Sequence, residues 1–190
     1  MTLRNITCAV TLCLLTLSGQ AVGKTEVPPY KNKSLSIEKR VDDLMGRMTL
    51  REKVLQLQNR GAGRLDEIDR IFNGKSYGCT HEMGTTAAEC AAMYKELQQY
   101  MLTKTRLGIP IITSAEGIQG ILQNNCTLFP HALAQGSTFN PALIQRMTEA
   151  AGEEAKVIGI HQILSPVLDI ARELRWGRVE ETFGEDPYLI

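Results

Sequence analysis

The chain has 190 residues, of which 43% are apolar and 22% are charged, a composition that is typical of a folded globular domain and argues against intrinsic disorder. Its 21 basic and 21 acidic residues give a formal net charge of zero. We therefore expect no nucleic-acid partner, because phosphate binding selects for a basic excess, and aromatic residues make up only 5% of the chain and offer no stacking platform for single strands.

Residues 1–23 have the pattern of a secretory signal peptide. Arg4 precedes an apolar run from Ile6 to Leu17, and the small residues of Ser18–Ala21 follow it as a cleavage region. The run is shorter than the roughly 20 apolar residues that cross a membrane, so a membrane anchor is the less favoured alternative. We expect an exported protein, periplasmic or extracellular, with no membrane association after the signal is removed.

The next part of the chain predicts an extended arm and two helices. Residues 24–35 are polar and contain two adjacent prolines, which favours the arm. Apolar residues recur at helical spacing over 36–48, and Thr49 with Glu52 forms a capping box that begins a second, short helix. Residues 61–84 are polar and rich in glycine, and we interpret them as a loop with one helical turn.

Two longer helices follow. Thr86 and Glu89 form another capping box, which predicts a helix that ends near residue 103. The Asn140–Pro141 pair places a capping side chain before a proline at the first helical position, and it predicts a helix over 140–157.

Short apolar runs at 107–112 and 159–166 are rich in β-branched residues and predict buried parallel strands. Strands that alternate with helices indicate an α/β fold. We expect three or four strands, fewer than a closed eight-stranded barrel, which needs about 250 residues. We therefore interpret residues 36–190 as one incomplete barrel domain, and the chain as a fragment of a longer protein.

Three cysteines lie outside the predicted signal peptide, Cys79, Cys90 and Cys126. Cys79 and Cys90 could pair in an oxidising compartment, and free thiols are an equally good interpretation. The sequence has no pair of nearby cysteines or cluster of histidine and cysteine of the kind that binds zinc, so we expect no metal.

Glu116 is the first candidate for ligand binding. It follows the predicted strand at 107–112, and functional side chains of α/β barrels lie at the carboxyl ends of strands. A carboxylate accepts two hydrogen bonds at once, which suits two neighbouring hydroxyls of a sugar. The alternative is an ordinary glutamate in a surface loop.

The second candidate region is 169–178, which contains three arginines, several acids and the single tryptophan of the chain. An arginine side chain presents a rigid fork of donors to carboxylates or to sugar oxygens. Such a cluster also suits an ion-pair network that holds a loop. We expect both roles, with one arginine at the ligand and the others in the loop.

Two motifs in these regions resemble those of glycoside hydrolase family 3. The first extends from Leu107 to Gly120 and includes E-G-I-Q-G, and the second, D-I-A-R-E-L-R-W-G-R-V-E-E-T-F-G-E-D-P-Y-L, covers Asp169 to Leu189. Phe129–Pro130 and Thr138–Pro141 lie between them and are also similar to the family's pattern. The resemblance covers 36–190.

The resemblance implies a (β/α)8 barrel of the TIM type, of which this chain is the N-terminal portion. It implies retaining hydrolysis of terminal β-linked sugars, without a cofactor, on oligosaccharides or aryl glycosides. By position, Glu116 and Arg172 match the residues that bind the terminal sugar. The matching positions Asp169, Arg175, Arg178 and Glu181 are interpreted as bracing the loop.

Two positions depart from the family's usual pattern. Many members have Asp where Glu116 stands, and Glu is more typical of a subset that includes β-xylosidases; many also have His at the position of Gln119. The resemblance places both the nucleophile and the acid/base beyond Ile190, so we assign no catalytic residue here and expect this chain alone to be inactive. The acids Glu180, Glu181, Glu185 and Asp186 are interpreted as surface residues.

The sequence therefore predicts part of a β-glucosidase. A β-xylosidase of the same family is an alternative, and a β-N-acetylglucosaminidase is a weaker one. A non-catalytic sugar-binding module is the alternative from another class. The sequence specifies neither the linkage preference nor the oligomeric state.

Overall fold

The computed structural model describes residues 27–81 and 86–190. The predicted signal peptide lies outside the described residues and stays a prediction. Within those residues, no helix has the length and the apolar character that crossing a membrane requires. The described α-helices are α1 (Ile37–Arg47), α2 (Leu50–Gln56), α3 (Ile68–Phe72), α4 (Ala87–Lys104), α5 (Ala132–Gly136) and α6 (Pro141–Ile158).

The chain separates into two units, one ending at Leu44 and one beginning at Met45. In the first unit, the predicted arm is not extended throughout, because Pro29–Lys31 forms a 3-10 turn. The backbone N–H of Tyr30 donates to Asp43 Oδ2 at 3.1 Å, and Arg40 Nε donates to the carbonyl of Tyr30 at 3.0 Å. These bonds tie the turn to α1, which the sequence pattern did not indicate.

The predicted helix starts are confirmed in the second unit. The Thr49 hydroxyl accepts from the backbone N–H of Glu52, whose carboxylate accepts in return from the N–H of Thr49. Thr86 and Glu89 form the same reciprocal pair at the start of α4. These bonds satisfy backbone donors that a helix leaves without partners in its first turn.

Three short strands form a parallel sheet in the order β1 (Cys79–Thr80), β2 (Ile112–Glu116) and β3 (Gln162–Leu164). Helix α4 connects β1 to β2, and α5 and α6 lie between β2 and β3 in the chain. This order confirms the predicted α/β class with parallel strands.

The strand predictions need correction in their positions. The first predicted strand, at 107–112, begins only at Ile112, because Gly108 has a left-handed backbone with φ of 63° and Pro110 has no N–H to donate. The first backbone bond to the β1 segment is from Ile112 N–H to the Gly78 carbonyl at 3.0 Å. The second predicted strand shortens to β3. The predicted loop at 61–84 contains the short helix α3, in agreement with the predicted helical turn, and also β1, which is too short to show a periodic pattern.

The core lies between α4 and the sheet. Leu97 and Met101 of α4 are fully buried and belong to the same apolar cluster as Ala115 of β2 and Ile158 of α6. Burying one leucine or methionine side chain contributes about 1.5–3 kcal/mol. Because Ala115 faces this cluster, its neighbours along the strand face away from the helix, which orients the site described next.

Candidate functional site

Glu116 is the last residue of β2 and pairs with Leu164 of β3. Its side chain is 40% exposed, whereas Ser114, two residues earlier on the same face, is 3% exposed. The Ser114 hydroxyl donates to the carbonyl of Thr80 at 2.9 Å and so links β2 to β1. The sequence analysis placed Glu116 beyond the strand; the structure fixes its backbone within the sheet, at the carboxyl end.

His81 is a neighbour of Glu116 that the sequence analysis missed. It directly follows β1, and its Nδ1 lies 3.3 Å from Ser114 Oγ while its Nε2 lies 3.9 Å from Glu116 Oε1. The imidazole is 37% exposed, so it borders solvent together with the carboxylate. The sequence analysis did not find His81 because the strand before it has only two residues and shows no periodic pattern.

The glycine after Glu116 is required by close packing. A Cβ at Gly117 would lie 2.1 Å from Ile163 Cγ2 of β3, a distance that real side chains do not reach. Any larger residue would push β3 away from the carboxyl end of β2. This contact gives a physical reason for glycine at this position of the first motif.

Arg172 lies in the segment that follows β3. Its backbone N–H donates to the Ile170 carbonyl at 2.9 Å, and the preceding Ala171 N–H donates to Gly184 at 3.0 Å. Its side chain is exposed. Among residues 27–81 and 86–190, its guanidinium makes neither a hydrogen bond nor an ion pair, so Arg172 forms no such bond with Glu116.

Arg178 pairs with an acid of the same segment. Its Nε donates to Glu181 Oε2 at 2.8 Å, and this bond is the main cause of the raised pKa of Arg178. The negative charges of Glu116 and Asp169 make smaller contributions in the same direction. This ion pair is the kind of contact that the predicted bracing role of Arg178 and Glu181 requires.

Arg175 pairs with Glu173 of its own segment. Its Nε donates to Glu173 Oε1 at 2.9 Å, and this pairing lowers the pKa of Glu173 to about 2. Both side chains are exposed. The bracing role predicted for Arg175 is therefore local.

The described acids and cysteines form no further site. Glu180, Glu185 and Asp186 are exposed, as expected for surface acids. Cys79, Cys90 and Cys126 form no disulfide among the described residues, so the structure does not contain the Cys79–Cys90 bond that the sequence left open. No group of three potential metal ligands occurs in the described part of the chain.

With this geometry established, the chain can be placed in a family. Residues 49–190 match the family model described as the glycosyl hydrolase family 3 N terminal domain. The chain belongs to glycosyl hydrolase family 3, which confirms the resemblance seen in its two motifs.

Curated relatives and solved structures agree with this assignment. A putative beta-xylosidase of Formosa agariphila is 35% identical over 87% of this chain and 24% of its own. Beta-glucosidase C of Emericella nidulans is 33% identical over 86% of this chain and 29% of its own. The structure of a D270A beta-glucosidase mutant from Listeria innocua, in complex with laminaribiose, superposes with a TM-score of 0.65 at 30% identity, covering 82% of this chain and 22% of that one. This chain thus spans about a quarter of the length of these proteins.

Proposed function

We propose that the full-length gene product is an exo-acting, retaining β-glycosidase that hydrolyses terminal, non-reducing β-D-glucosyl residues. The observation that carries this proposal is a half-exposed glutamate at the carboxyl end of a parallel strand, in a domain of family 3. The names of similar proteins, a beta-glucosidase and a beta-glucosidase complexed with laminaribiose, support a β-glucoside substrate. The chemistry requires no metal or organic cofactor.

Glu116 and Arg172 are proposed to bind the terminal sugar. The carboxylate accepts hydrogen bonds from hydroxyl groups, and the exposed guanidinium donates to sugar oxygens. Among the described residues the Arg172 guanidinium makes no ion pair, so sugar binding would not have to break one there. Holding the ring at two points fixes the orientation of its anomeric carbon.

The remaining parts of the proposal concern the rest of the molecule. Retention requires two carboxylates about 5–5.5 Å apart, a nucleophile and an acid/base. We propose that both lie beyond Ile190 in the full-length product, as does the remainder of the (β/α)8 barrel. We also propose that the protein is exported, which the signal-like pattern of residues 1–23 supports.

A β-xylosidase is the second candidate. Two observations favour it: Glu116 stands where many members have aspartate, and the 35% identical relative is named a putative beta-xylosidase. Xylose lacks the hydroxymethyl group of glucose, so the two activities separate on otherwise identical aryl glycosides.

The test is the ratio of kcat/KM for an aryl β-glucoside and the matching aryl β-xyloside, measured on the full-length product. We expect the glucoside to be preferred at least about tenfold, since one extra contact of the hydroxymethyl group is worth about 1–3 kcal/mol. Preference for the xyloside would establish the second candidate. Sugar binding without turnover of either substrate would indicate a non-catalytic module and contradict the enzyme assignment.

A further inference from the structure

The inference concerns Glu154 of α6, which lies outside both motifs. Its carboxylate accepts from both donors of Thr127, a residue in the segment that follows β2. The backbone N–H of Thr127 lies 3.1 Å from each carboxylate oxygen, and the Thr127 hydroxyl donates to Oε1 at 2.7 Å. Hydrogen bonds to an ionised acceptor are stronger than those between neutral groups. Glu154 therefore fixes the orientation of Thr127 against α6.

Thr127 in turn lies against the residues that leave β2. A Cβ at Gly120 would lie 2.4 Å from the Thr127 carbonyl oxygen, so the two backbones are in contact and only glycine fits. Gly120 also has a left-handed backbone, with φ of 91°, which favours glycine. Two residues after Thr127, the N–H of Phe129 donates to the Gln119 carbonyl at 2.8 Å. The returning half of the segment thus supports its outgoing half.

This support acts directly after Glu116. The N–H of Gly120 donates to the Gly117 carbonyl at 3.4 Å and closes a turn at the end of β2. On its other side, the turn is limited by Ile163 of β3, which leaves no room for a Cβ at Gly117. Because the direction of a side chain follows from its own backbone, the place of the Glu116 carboxylate depends on both supports.

The turn also packs on α6 close to Glu154. A cavity of about 40 Å³ is lined by Gly117 and Gly120 of the turn and by Met147 and Ala151 of α6. Ala151 and Glu154 are three residues apart and so lie on the same side of the helix. Closely packed contacts transmit a displacement instead of absorbing it. A shift at Glu154 is therefore expected to reach the turn.

We propose that Glu154 is a positioning residue of the sugar site. Through Thr127 and Gly120 it fixes the turn that follows Glu116, and so the place of the carboxylate that binds the terminal sugar. Glu154 acts through these neighbours and not by contact with the sugar. The inference rests on the proposed glycosidase function and adds α6 to the elements that build its binding site.

The experiment measures kcat and KM of the full-length product for an aryl β-glucoside, with glucose as competitive inhibitor, well below the melting temperature of every variant. In Glu154→Ala, KM and the inhibition constant of glucose should both rise about tenfold while kcat changes less than about twofold, because a binding contact is weakened equally in the ground state and the transition state. A residue that only stabilises the fold would lower the melting temperature and leave both constants native, and that result would overturn the inference.

Glu153→Ala is the matched control. Glu153 is the exposed neighbour of Glu154 on α6, so its loss should leave both constants native. Glu154→Gln retains Oε1, the atom that both donors of Thr127 reach, and should restore most of the affinity that Glu154→Ala loses. Equal losses in Glu153→Ala and Glu154→Ala would overturn the inference, because they would reflect the charge of α6 and not the contact with Thr127.

Thr127 offers a second test, which also decides the question if Glu154→Ala does not fold. Thr127→Val removes the hydroxyl donor and should raise KM about threefold, whereas Thr127→Ser keeps the donor and should retain a native KM. In the Glu154→Ala background, Thr127→Val should have no further effect, since its partner is already gone. Equal KM values for the valine and serine variants would overturn the inference.

The two proposals fail differently. If the full-length product hydrolyses aryl β-glucosides and Glu154→Ala keeps a native KM, only the positioning role of Glu154 is wrong. If there is no hydrolysis, calorimetric titration with glucose replaces the kinetic assay. A higher dissociation constant in Glu154→Ala, with a native value in Glu153→Ala, would then support the positioning role in a sugar-binding protein that is not a glycosidase. A product that neither hydrolyses nor binds the sugar would overturn both proposals.

Discussion

A carboxylate lies near a basic side chain at each end of strand β2, the amino side and the carboxyl side, but only one of the two pairs forms direct hydrogen bonds. On the amino side, Arg106 Nε donates to Glu52 Oε1 at 2.8 Å, and a second guanidinium nitrogen reaches Oε2 at 2.6 Å. On the carboxyl side, His81 Nε2 remains 3.9 Å from Glu116 Oε1. The first pair is closed by direct hydrogen bonds and stabilises the fold, whereas the second pair is too far apart for a direct hydrogen bond and both of its side chains are partly exposed.

The largest expected effect on activity is that of a change at Glu116, on the carboxyl side of β2. Glu116→Gln keeps the size of the side chain and removes its charge, so kcat/KM of the full-length product for its preferred aryl β-glycoside should fall about 100-fold, as expected when hydrogen bonds to a charged group are weakened. Glu180→Gln, which changes an exposed acid, is the control and should leave kcat/KM unchanged. Near-native activity in Glu116→Gln would remove this residue from the site.

A smaller loss is expected for Arg172→Ala. Its guanidinium has no partner among the described residues, so the melting temperature should be unchanged while kcat/KM falls about tenfold. Arg175→Ala removes an arginine that pairs only with Glu173, and it should have no effect on kcat/KM. An equal loss in both variants would indicate a general charge effect instead of a specific contact with the sugar.

A change on the amino side of β2 should alter the stability of the protein and not its activity. Glu52→Gln retains the capping box, because glutamine can serve at the third helical position, and it removes the ion pair with Arg106. We expect the free energy of unfolding to fall by about 1 kcal/mol, since the pair is partly exposed. Urea unfolding at neutral pH measures this change, and kcat/KM should stay native.

The pH dependence of this effect follows from the pKa of Glu52. The hydrogen bonds from Arg106 lower that pKa from its usual 4.5 to about 2. A lowered pKa in the folded state contributes stability above the unfolded pKa, and this contribution is lost as the pH falls through the folded value. The difference between native protein and Glu52→Gln should therefore shrink from pH 5 to pH 2. A constant difference would show that the ion pair is not its source.

The smallest effect is expected for Glu173→Gln. Glu173 has the same lowered pKa of about 2, caused by Arg175, but both residues are exposed and lie two positions apart in one segment. Its loss should leave the melting temperature unchanged, because the pair links no distant parts of the chain. A destabilisation as large as that of Glu52→Gln would mean that pairing alone, regardless of what it connects, stabilises this fold.

The helices were predictable because their start signals are local. Thr49 with Glu52, and Thr86 with Glu89, satisfy backbone donors within one turn, so the sequence contains the whole interaction. The family motif likewise directed attention to Glu116 without knowledge of its neighbours.

The strands and His81 could not be predicted in the same way. The backbone bond of Ile112 is to Gly78, more than thirty residues away, and no local pattern marks where such a ladder begins. Without β1, nothing in the sequence placed His81 beside Glu116.

The most direct test of the central claim is a crystal structure of the full-length product with glucose bound. The account predicts that the Glu116 carboxylate and the Arg172 guanidinium each form hydrogen bonds of about 2.7–3.2 Å with the same sugar ring. A glucose that contacts neither residue, or an Arg172 side chain on the opposite side of the molecule from Glu116, would contradict it.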